Sequence, residues 1–389
     1  MRRAPFPGSV SRPVASPLQP SVVYASPDPD ALDDQYEGRS SGWTYSREGH
    51  PNAAVVAELI DQMEGAEGGV VTGSGMSAVL IALLGVARAG DHVLGADQLY
   101  GRSLRMMNEE LPRLGIETSL ADPTDAGAFA AALRDNTRIV LIETVSNPTL
   151  RIADVEGIAR LCRERGILVA LDNTFTTPRA VRALDCGADI VIHSVTKLLS
   201  GHSDAMLGYV GTRDADLAQR FSLLAATFGT TPSPFDCWLA ERGLYSFALR
   251  YDRAEATAAA LADALATAPG VRRVVYPGRA DHPDHNRASA LLRGRSGNMV
   301  SFEIEGGRAA ANAFVRAADG IAFAPTLGDI GTTLSHPPSS SHRALTPEAR
   351  MALGISEGFF RVSVGCEDAD DLIARFLRAA ETAAQLKAT

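Results

Sequence analysis

Three segments carry side chains whose types and positions could support chemistry. Lys197 stands in SVTKLLSGHSD (194–204), directly after an apolar run, so an amine follows what reads as a buried strand. Asp172 also follows an apolar run, and the small residues of VVTGSGMSA (70–78) join a predicted strand to a predicted helix. Backbone N–H groups at such a helix start can bind an anion. Each feature also has an ordinary interpretation: a solvated lysine, a turn-capping aspartate and a tight turn.

Together the three features favour pyridoxal 5′-phosphate (PLP), because this cofactor needs all of them. Its aldehyde combines with an amine, its protonated ring nitrogen needs an anion, and its phosphate needs hydroxyl and backbone donors. Ser194 and Thr196 flank Lys197 and supply hydroxyls. Burial beside a protonated ring lowers the pKa of a lysine amine toward a range useful for a base.

Two other enzyme classes fit parts of the pattern. SVTK (194–197) satisfies the S-x-x-K signature of acyl-serine enzymes, but the companion S-D-N and K-T-G triplets are absent. GSGMSA (73–78) matches a loose dinucleotide fingerprint, with Asp97 about twenty residues later as a ribose ligand. A nicotinamide enzyme would leave Lys197 and Asp172 unexplained.

The elements that must position these residues are strands and helices in alternation. Between about residues 53 and 212, apolar runs alternate with helical patterns, as in a parallel sheet covered on both faces. Ligands bind beyond the carboxyl ends of such strands. The long segment 235–266 is amphipathic, and the loop 324–347 is too long for an inert connection. The predicted strands are 69–72, 92–94, 138–142, 167–171, 190–192, 207–210, 272–275 and 299–304, and the predicted final helix is 370–386.

Length indicates more than one domain, since 389 residues exceed one ordinary core. We predict an N-terminal arm (1–50) rich in Pro, Ser, Asp and Gly, a large cofactor-binding domain (51–241) and a C-terminal domain (242–389). The net charge of −9 argues against nucleic-acid and anionic-membrane partners. No apolar segment has secretory or membrane-spanning length, so we expect a cytoplasmic protein. The four cysteines are widely spaced, and we expect neither a disulfide framework nor a metal site.

A series of specific motifs occurs in order along the chain: YSREGHPN (45–52), SGMSA (74–78), LYG (99–101), ETVSNPTL (143–150), DNTF (172–175), SVTKLLSGHSD (194–204), SPFDCWLAERGL (233–244) and SEGFFRVSVGCED (356–368). With these motifs the chain closely resembles the Cys/Met-metabolism family of PLP enzymes, which includes cystathionine and methionine γ-lyases, cystathionine γ-synthase and the O-acylhomoserine sulfhydrylases. The resemblance implies the PLP-dependent transferase type I (aspartate aminotransferase-like) α/β fold, with a mostly parallel central sheet, helices on both faces and a smaller C-terminal α/β domain. It also implies a homotetramer, a dimer of dimers.

The resemblance further implies a role for each matching residue. Lys197 would hold the cofactor and move a proton between substrate carbons, Asp172 would hold the ring nitrogen, and Tyr100 would stack on the ring and protonate the departing sulfur. The implied phosphate ligands are Ser74, Gly75, Met76, Ser194 and Thr196, with Tyr45 and Arg47 reaching the phosphate of a neighbouring subunit. The implied site for the substrate α-carboxylate consists of Arg361, Asn147, Thr326 and Leu327.

The implied reaction is γ-elimination on cystathionine, methionine or homocysteine, which gives 2-oxobutanoate, ammonia and a thiol. Two alternatives stay open: γ-replacement on an O-acylhomoserine, and a non-catalytic PLP-binding regulatory protein. Three positions depart from the relatives. Gly331 stands where a Glu associated with the distal amino group of cystathionine is common, Arg102 where methionine γ-lyases have Cys, and Tyr245 where a lysine is usual.

Overall fold

The computed structural model describes residues 10–385 and contains a seven-stranded sheet. Its strands are β1 (Val70–Thr72), β2 (His92–Ala96), β3 (Glu117–Ala121), β4 (Thr137–Glu143), β5 (Leu168–Asp172), β6 (Ile190–His193) and β7 (Gly208–Thr212). They lie in the order β1-β7-β6-β5-β4-β2-β3. β7 pairs antiparallel with both β1 and β6, and all other pairs in this sheet are parallel. This confirms the predicted α/β fold with a mostly parallel sheet.

A second, smaller sheet contains the strands that follow residue 270. They are β8 (Val271–Val275), β9 (Met299–Ile304), β10 (Ala322–Phe323), β11 (Thr333–Ser335) and β12 (Phe359–Ser363). Their order is β10-β11-β12-β9-β8, with β10 and β11 parallel and the remaining pairs antiparallel. Phe302, Phe314 and Phe360 lie in the apolar core beside this sheet, with ring centroids 5.2 to 5.4 Å apart.

Helices connect the strands and cover the sheets. The α-helices are α1 (Pro29–Tyr36), α2 (Pro51–Glu64), α3 (Gly75–Val86), α4 (Gly101–Arg105), α5 (Leu111–Arg113), α6 (Ala126–Ala132), α7 (Val155–Glu164), α8 (Thr177–Ala180), α9 (Ala215–Phe228), α10 (Pro234–Ala266), α11 (His285–Leu291), α12 (Gly307–Ala317), α13 (Pro347–Ala352) and α14 (Ala369–Gln385). A π-helical turn, Met106–Glu110, and two 3₁₀ turns, Ala183–Cys186 and Pro337–Ser339, complete the helical elements of residues 10–385. Within the same residues, no helix is both long and apolar enough to cross a membrane.

The 33-residue helix α10 links the layers of the two sheets. Its start follows ordinary capping chemistry: the Ser233 hydroxyl accepts the Asp236 N–H, and Pro234 occupies the first helical position. The helix contacts α2 beside the first sheet and β8 and β9 of the second. The predicted division at residue 241 falls inside α10, and the division into domains stays a prediction.

Four strands, β3, β10, β11 and β12, have no counterparts among the predicted strands, and α1 forms within the predicted arm. β11 lies inside the predicted loop 324–347. β3 is absent from the prediction because its polar residues interrupt any apolar run and it lies at a partly exposed sheet edge. α1 forms in the arm predicted to be irregular, since Asp28 caps it by accepting the Ala31 N–H. Residues 1–9 of the predicted arm and Leu386 of the predicted final helix lie outside the described residues.

Candidate active site

The carboxyl ends of three neighbouring parallel strands meet at one edge of the large sheet. β4 ends at Glu143, β5 at Asp172 and β6 at His193, and Glu143 and Asp172 are paired across β4 and β5. Lys197 follows in the turn after β6, where its N–H donates to the Ser194 carbonyl at 3.1 Å. The topology therefore places the predicted lysine and aspartate where ligands bind in sheets of this kind.

The Lys197 side chain is partly buried beneath the loop that begins at Thr326. Its Nζ lies 3.4 Å from the Thr326 Oγ1, and burial, followed by the charge of Arg361, lowers the pKa of the amine. Gly328 adopts a φ of +80°, and a Cβ at this position would lie 2.5 Å from the Leu198 nitrogen. The loop can approach the lysine this closely because residue 328 has no side chain.

Asp172 is a partly buried carboxylate that is held by its own turn. Its Oδ1 accepts the Thr174 N–H at 3.1 Å and the Thr174 hydroxyl at 2.6 Å. Burial raises the pKa of Asp172, while the bonds from Thr174 and the nearby His193 act in the opposite direction. Asp172 therefore offers an anion to a cation placed beyond the strand end.

The turn before α3 forms a concave helix start opposite Ser194. Ser74 caps the helix: its Oγ accepts the Ser77 N–H at 3.2 Å and lies 2.9 Å from the Ser77 Oγ. A Cβ on Gly75 would lie 2.7 Å from the Ser194 Cβ, so only glycine keeps this space open. The adjoining Thr196 hydroxyl donates to the Leu207 carbonyl at 3.2 Å, and the Ser103 hydroxyl lies 3.9 Å from the Met76 sulfur.

Arg361 is a buried guanidinium whose two described side-chain bonds go to neutral oxygens. Nη1 donates to the Asn147 Oδ1 and Nη2 to the Thr326 carbonyl, both at 2.7 Å. Its Nε has no hydrogen-bond partner among the described residues, and burial lowers the pKa of Arg361 to about 10. Because a buried cation without an anion is costly, this site favours binding of a carboxylate. Leu327 is buried beside it.

Tyr100 precedes α4 and presents a 42% exposed side chain. Its backbone N–H donates to the Glu143 Oε1 at 2.5 Å. Burial and the adjacent Asp172 raise the pKa of Glu143 well above its ordinary value. Glu143 is absent from the predicted site residues, although its position directly after the apolar run 138–142 was the same signal that identified Asp172.

Tyr45 and Arg47 lie in the arm, where they contact each other and where Arg47 also contacts α9. The Arg47 guanidinium lies 5.3 Å from the Tyr45 ring centroid, and its Nη1 donates to the Ala226 carbonyl at 3.1 Å. These are contacts within one chain. The predicted approach of both residues to the phosphate of a neighbouring subunit stays a prediction.

The three positions that depart from the relatives have different surroundings. Arg102 is exposed on α4. Tyr245 is 67% exposed on α10, and its hydroxyl donates to Glu241, which also accepts the Ser16 hydroxyl of the arm. Gly331 donates its N–H to the Asp329 Oδ1 at 2.8 Å.

The residues present fit bound PLP. A lysine with a lowered pKa follows β6, a partly buried carboxylate ends β5, and the capped start of α3 faces Ser194 across a space that a Cβ at Gly75 would fill. These features supply the amine, the anion and the anion-binding helix start that PLP requires. The buried Arg361 adds a cation that has no anionic hydrogen-bond partner among the described residues.

Comparisons with known proteins agree with this site. A family model described as Cys/Met metabolism PLP-dependent enzyme matches residues 7–381. Cystathionine beta-lyase MetC of Bacillus subtilis is 41% identical over 85% of this chain and 84% of its own length. L-methionine gamma-lyase of Pseudomonas putida is 37% identical over 90% of this chain and 88% of its own length. The crystal structure of cystathionine gamma synthase from Xanthomonas oryzae pv. oryzae, in complex with aminoacrylate and cysteine, superposes with a TM-score of 0.90 at 36% identity, covering 95% of this chain and 93% of that one. The chain therefore belongs to the Cys/Met metabolism family of PLP-dependent enzymes.

Proposed function

We propose that this enzyme is a carbon–sulfur lyase that eliminates a thiol from the γ-carbon of cystathionine, methionine or homocysteine. The proposal rests on the position of Thr326 between two functional groups. Its hydroxyl lies 3.4 Å from the Lys197 Nζ, and its carbonyl accepts from Arg361 at 2.7 Å. In an α-amino acid the carboxylate is bonded directly to Cα, so a base for Cα must lie beside the cation that binds the carboxylate.

The chain's own groups would divide the work among binding, orientation and proton transfer. When bound, PLP supplies an electron sink that makes the hydrogens on Cα and Cβ acidic. The lowered pKa of Lys197 increases its neutral fraction, so its Nζ would accept the Cα proton and later return a proton to the substrate. Arg361 would hold the α-carboxylate by two parallel N–H bonds, with Asn147 and the 326–327 backbone beside it.

Three further sets of residues would hold the cofactor and assist the leaving group. Asp172 would keep the ring nitrogen protonated, and the Tyr100 phenol would donate a proton to the departing sulfur. The phosphate ligands would be Ser74, Gly75, Met76, Ser194 and Thr196, joined by Tyr45 and Arg47 of a neighbouring subunit in a homotetramer. The arm would then complete the site of another chain, so assembly would precede full activity.

Two other reactions have specific support from the relatives. The 41% identical protein is named as a cystathionine beta-lyase, and the superposed crystal structure is of a cystathionine gamma synthase. β-Elimination of cystathionine would release homocysteine, ammonia and pyruvate. In γ-replacement the cysteine sulfur would take the place of the acyloxy group on the γ-carbon of an O-acylhomoserine, giving cystathionine and a free carboxylate and no oxo acid.

The products of purified holoenzyme distinguish these reactions. We expect cystathionine to give 2-oxobutanoate, ammonia and cysteine. Methionine should give 2-oxobutanoate, ammonia and methanethiol, and homocysteine should give 2-oxobutanoate, ammonia and hydrogen sulfide. Pyruvate and homocysteine from cystathionine would identify β-elimination, and thioether formation from O-acylhomoserine and cysteine alone would identify γ-replacement. Lys197→Ala should abolish turnover. Borohydride-treated wild type should carry a pyridoxyl group on Lys197, detected by peptide mass spectrometry.

A further inference from the structure

Residues just before α11, together with residues inside it, form hydrogen bonds to the loop that contains Asn147. Asp284 accepts Arg151 Nε at 2.6 Å and Arg151 Nη2 at 3.2 Å, so this carboxylate and guanidinium form a bidentate pair. The same carboxylate accepts the Ile152 backbone N–H at 3.1 Å. We name residues 146–152 the Asn147 loop. Asp284 therefore binds the end of this loop through both a side chain and the backbone.

Other groups of the C-terminal part of the chain contact the same loop. His282 lies with its Nε2 2.9 Å from the Leu150 carbonyl, and Arg287 donates to the Ile152 carbonyl at 3.0 Å. Ser301 of β9 donates its hydroxyl to the Pro148 carbonyl at 2.7 Å. The loop is thus fixed at several backbone positions by residues more than a hundred positions away in sequence.

These contacts lead directly to Arg361. Ser301 is the register partner of Arg361 across β9 and β12, and Arg361 Nη1 donates to Asn147 within the same loop. The Asn147 loop is therefore held on one side by the strand that neighbours Arg361 and on the other by Asp284. The side chain of Asp284 is 8% exposed and that of Arg151 is 34% exposed, so solvent screens this pair only in part.

We propose that Asp284 is a positioning residue for the substrate α-carboxylate. It fixes the Asn147 loop to the segment that carries α11, and Asn147 in turn orients the guanidinium of Arg361. This inference rests on the proposed function, because it takes Arg361 to be the carboxylate-binding residue. It extends the site to a residue that contacts neither the cofactor lysine nor Arg361 directly.

The test measures binding of L-norvaline, which has an α-carboxylate but no leaving group on the γ-carbon. Its carboxamide, L-norvalinamide, serves as the ligand without the carboxylate. Binding to PLP-loaded holoenzyme is followed by the change in cofactor absorbance, and PLP affinity of the apoprotein is measured separately. Asp284→Asn should weaken norvaline binding about tenfold, the effect expected for loss of a charge-assisted pair, with norvalinamide and PLP affinities within about twofold of wild type.

The matched control is Asp281→Asn. Asp281 lies in the same segment but is 62% exposed and pairs with Arg279 instead of the loop. This variant should bind both L-norvaline and L-norvalinamide with wild-type affinity. If Asp284→Asn fails to fold, Arg151→Gln removes the same pair from the loop side and should reproduce the selective loss.

Several outcomes would overturn the inference. Equal weakening of norvaline and norvalinamide, or a parallel loss of PLP affinity, would assign Asp284 a general structural role. Unchanged norvaline binding in Asp284→Asn would also overturn it. Arg361→Lys tests the carboxylate assignment itself: if it leaves the preference for norvaline over norvalinamide unchanged, that assignment and this inference both fail. Selective loss in Asp284→Asn with no 2-oxobutanoate from any substrate would support the inference and reject the γ-elimination.

Discussion

Two carboxylates lie side by side at the ends of neighbouring strands. Glu143 and Asp172 are register partners, Glu143 is buried and Asp172 partly buried, and burial raises the pKa of each. Glu143 also accepts the Tyr100 backbone N–H, so it fixes the residue predicted to stack on the cofactor ring. The protonation of Glu143 therefore bears on the charge of Asp172 and on the stability of the fold.

We predict that Glu143→Gln changes the pH dependence of apoprotein stability. A carboxyl group with a raised pKa in the folded state stabilises the protein below its unfolded pKa, and that contribution is lost as pH rises through the folded pKa. The wild-type apoprotein should therefore become less stable relative to Glu143→Gln as the pH rises above 4.5, which is the ordinary pKa of a glutamate side chain. The difference should grow by about 1.4 kcal/mol for each pH unit within the window between the two pKa values. Urea unfolding of both proteins at several pH values measures this difference in the free energy of unfolding.

The glutamine keeps an oxygen that accepts the Tyr100 N–H, whereas Glu143→Leu removes it and should destabilise the fold at every pH. Glu164→Gln, at an exposed helix position, is the control. A pH-independent difference between Glu143→Gln and wild type would contradict the prediction.

Gly331 allows a second prediction, on substrate preference. A Cβ at this position would lie 3.3 Å from the Asp329 Oδ1 and 3.8 Å from the Glu367 Oε1. Gly331→Glu alone would thus place a third carboxylate beside two others, and Asp329→Asn should recover about 0.5–1 kcal/mol of the lost stability. In the double variant, we expect kcat/KM for cystathionine to rise relative to methionine, because the new carboxylate would attract the distal amino group. Gly331→Gln in the same background should show no such change, and an equal change would reject a charge effect.

At the residue scale, the sequence locates a polar residue at a strand end where one position carries its own signal. Lys197 and Asp172 follow apolar runs, and the structure places Asp172 at the end of β5 and Lys197 in the turn after β6. Asp284 and Glu64 carry no such signal. Glu64 lies in a helix with an ordinary polar pattern, yet it is fully buried and binds His193 and Asn173 at 2.7 and 2.9 Å. Contacts between distant parts of the chain, which no local pattern encodes, give these residues their roles.

The loop after β10 is an element whose conformation depends on one glycine. Gly328 and Gly294 both have a positive φ, +80° and +83°, but the space around Gly294 is open, whereas a Cβ on Gly328 would meet the backbone of Leu198 and Lys197. Alanine at either position costs about 1 kcal/mol in backbone strain. We predict that Gly328→Ala costs at least about 2 kcal/mol more than Gly294→Ala, because packed backbone cannot yield easily. It should also weaken PLP binding.

Urea unfolding of the two apoprotein variants, with PLP titration of each, provides the measurement. Equal losses of stability would show that the loop relaxes away from Lys197. At the scale of elements, apolar runs in the sequence are sufficient to locate most strands. The short helix α1 instead depends on its capping residue, Asp28, and the partly exposed strand β3 depends on pairing with β2.

For the whole molecule, the proposed sharing of sites between subunits can be tested by complementation. Arg47→Ala and Lys197→Ala should each be inactive. If Arg47 completes the site of a neighbour, a mixed dimer contains one doubly defective site and one intact site, so random reassociation should restore about a quarter of wild-type activity. The mixture is dissociated, reassociated and assayed for oxo-acid release. No recovery would show that Arg47 serves its own chain.

The position of Thr326 also bears on how the protein is made. Thr326 follows Lys197 by 129 residues, and both of its contacts described above, to the amine and to Arg361, require the late part of the chain. At ribosomal rates of about 5–20 residues per second, roughly 6 to 26 seconds separate the synthesis of these two residues. During that interval the nascent polypeptide carries the Lys197 amine without the loop that covers it. If Lys197 binds the PLP aldehyde as proposed, a complete site for that step forms only after residue 326 has been translated.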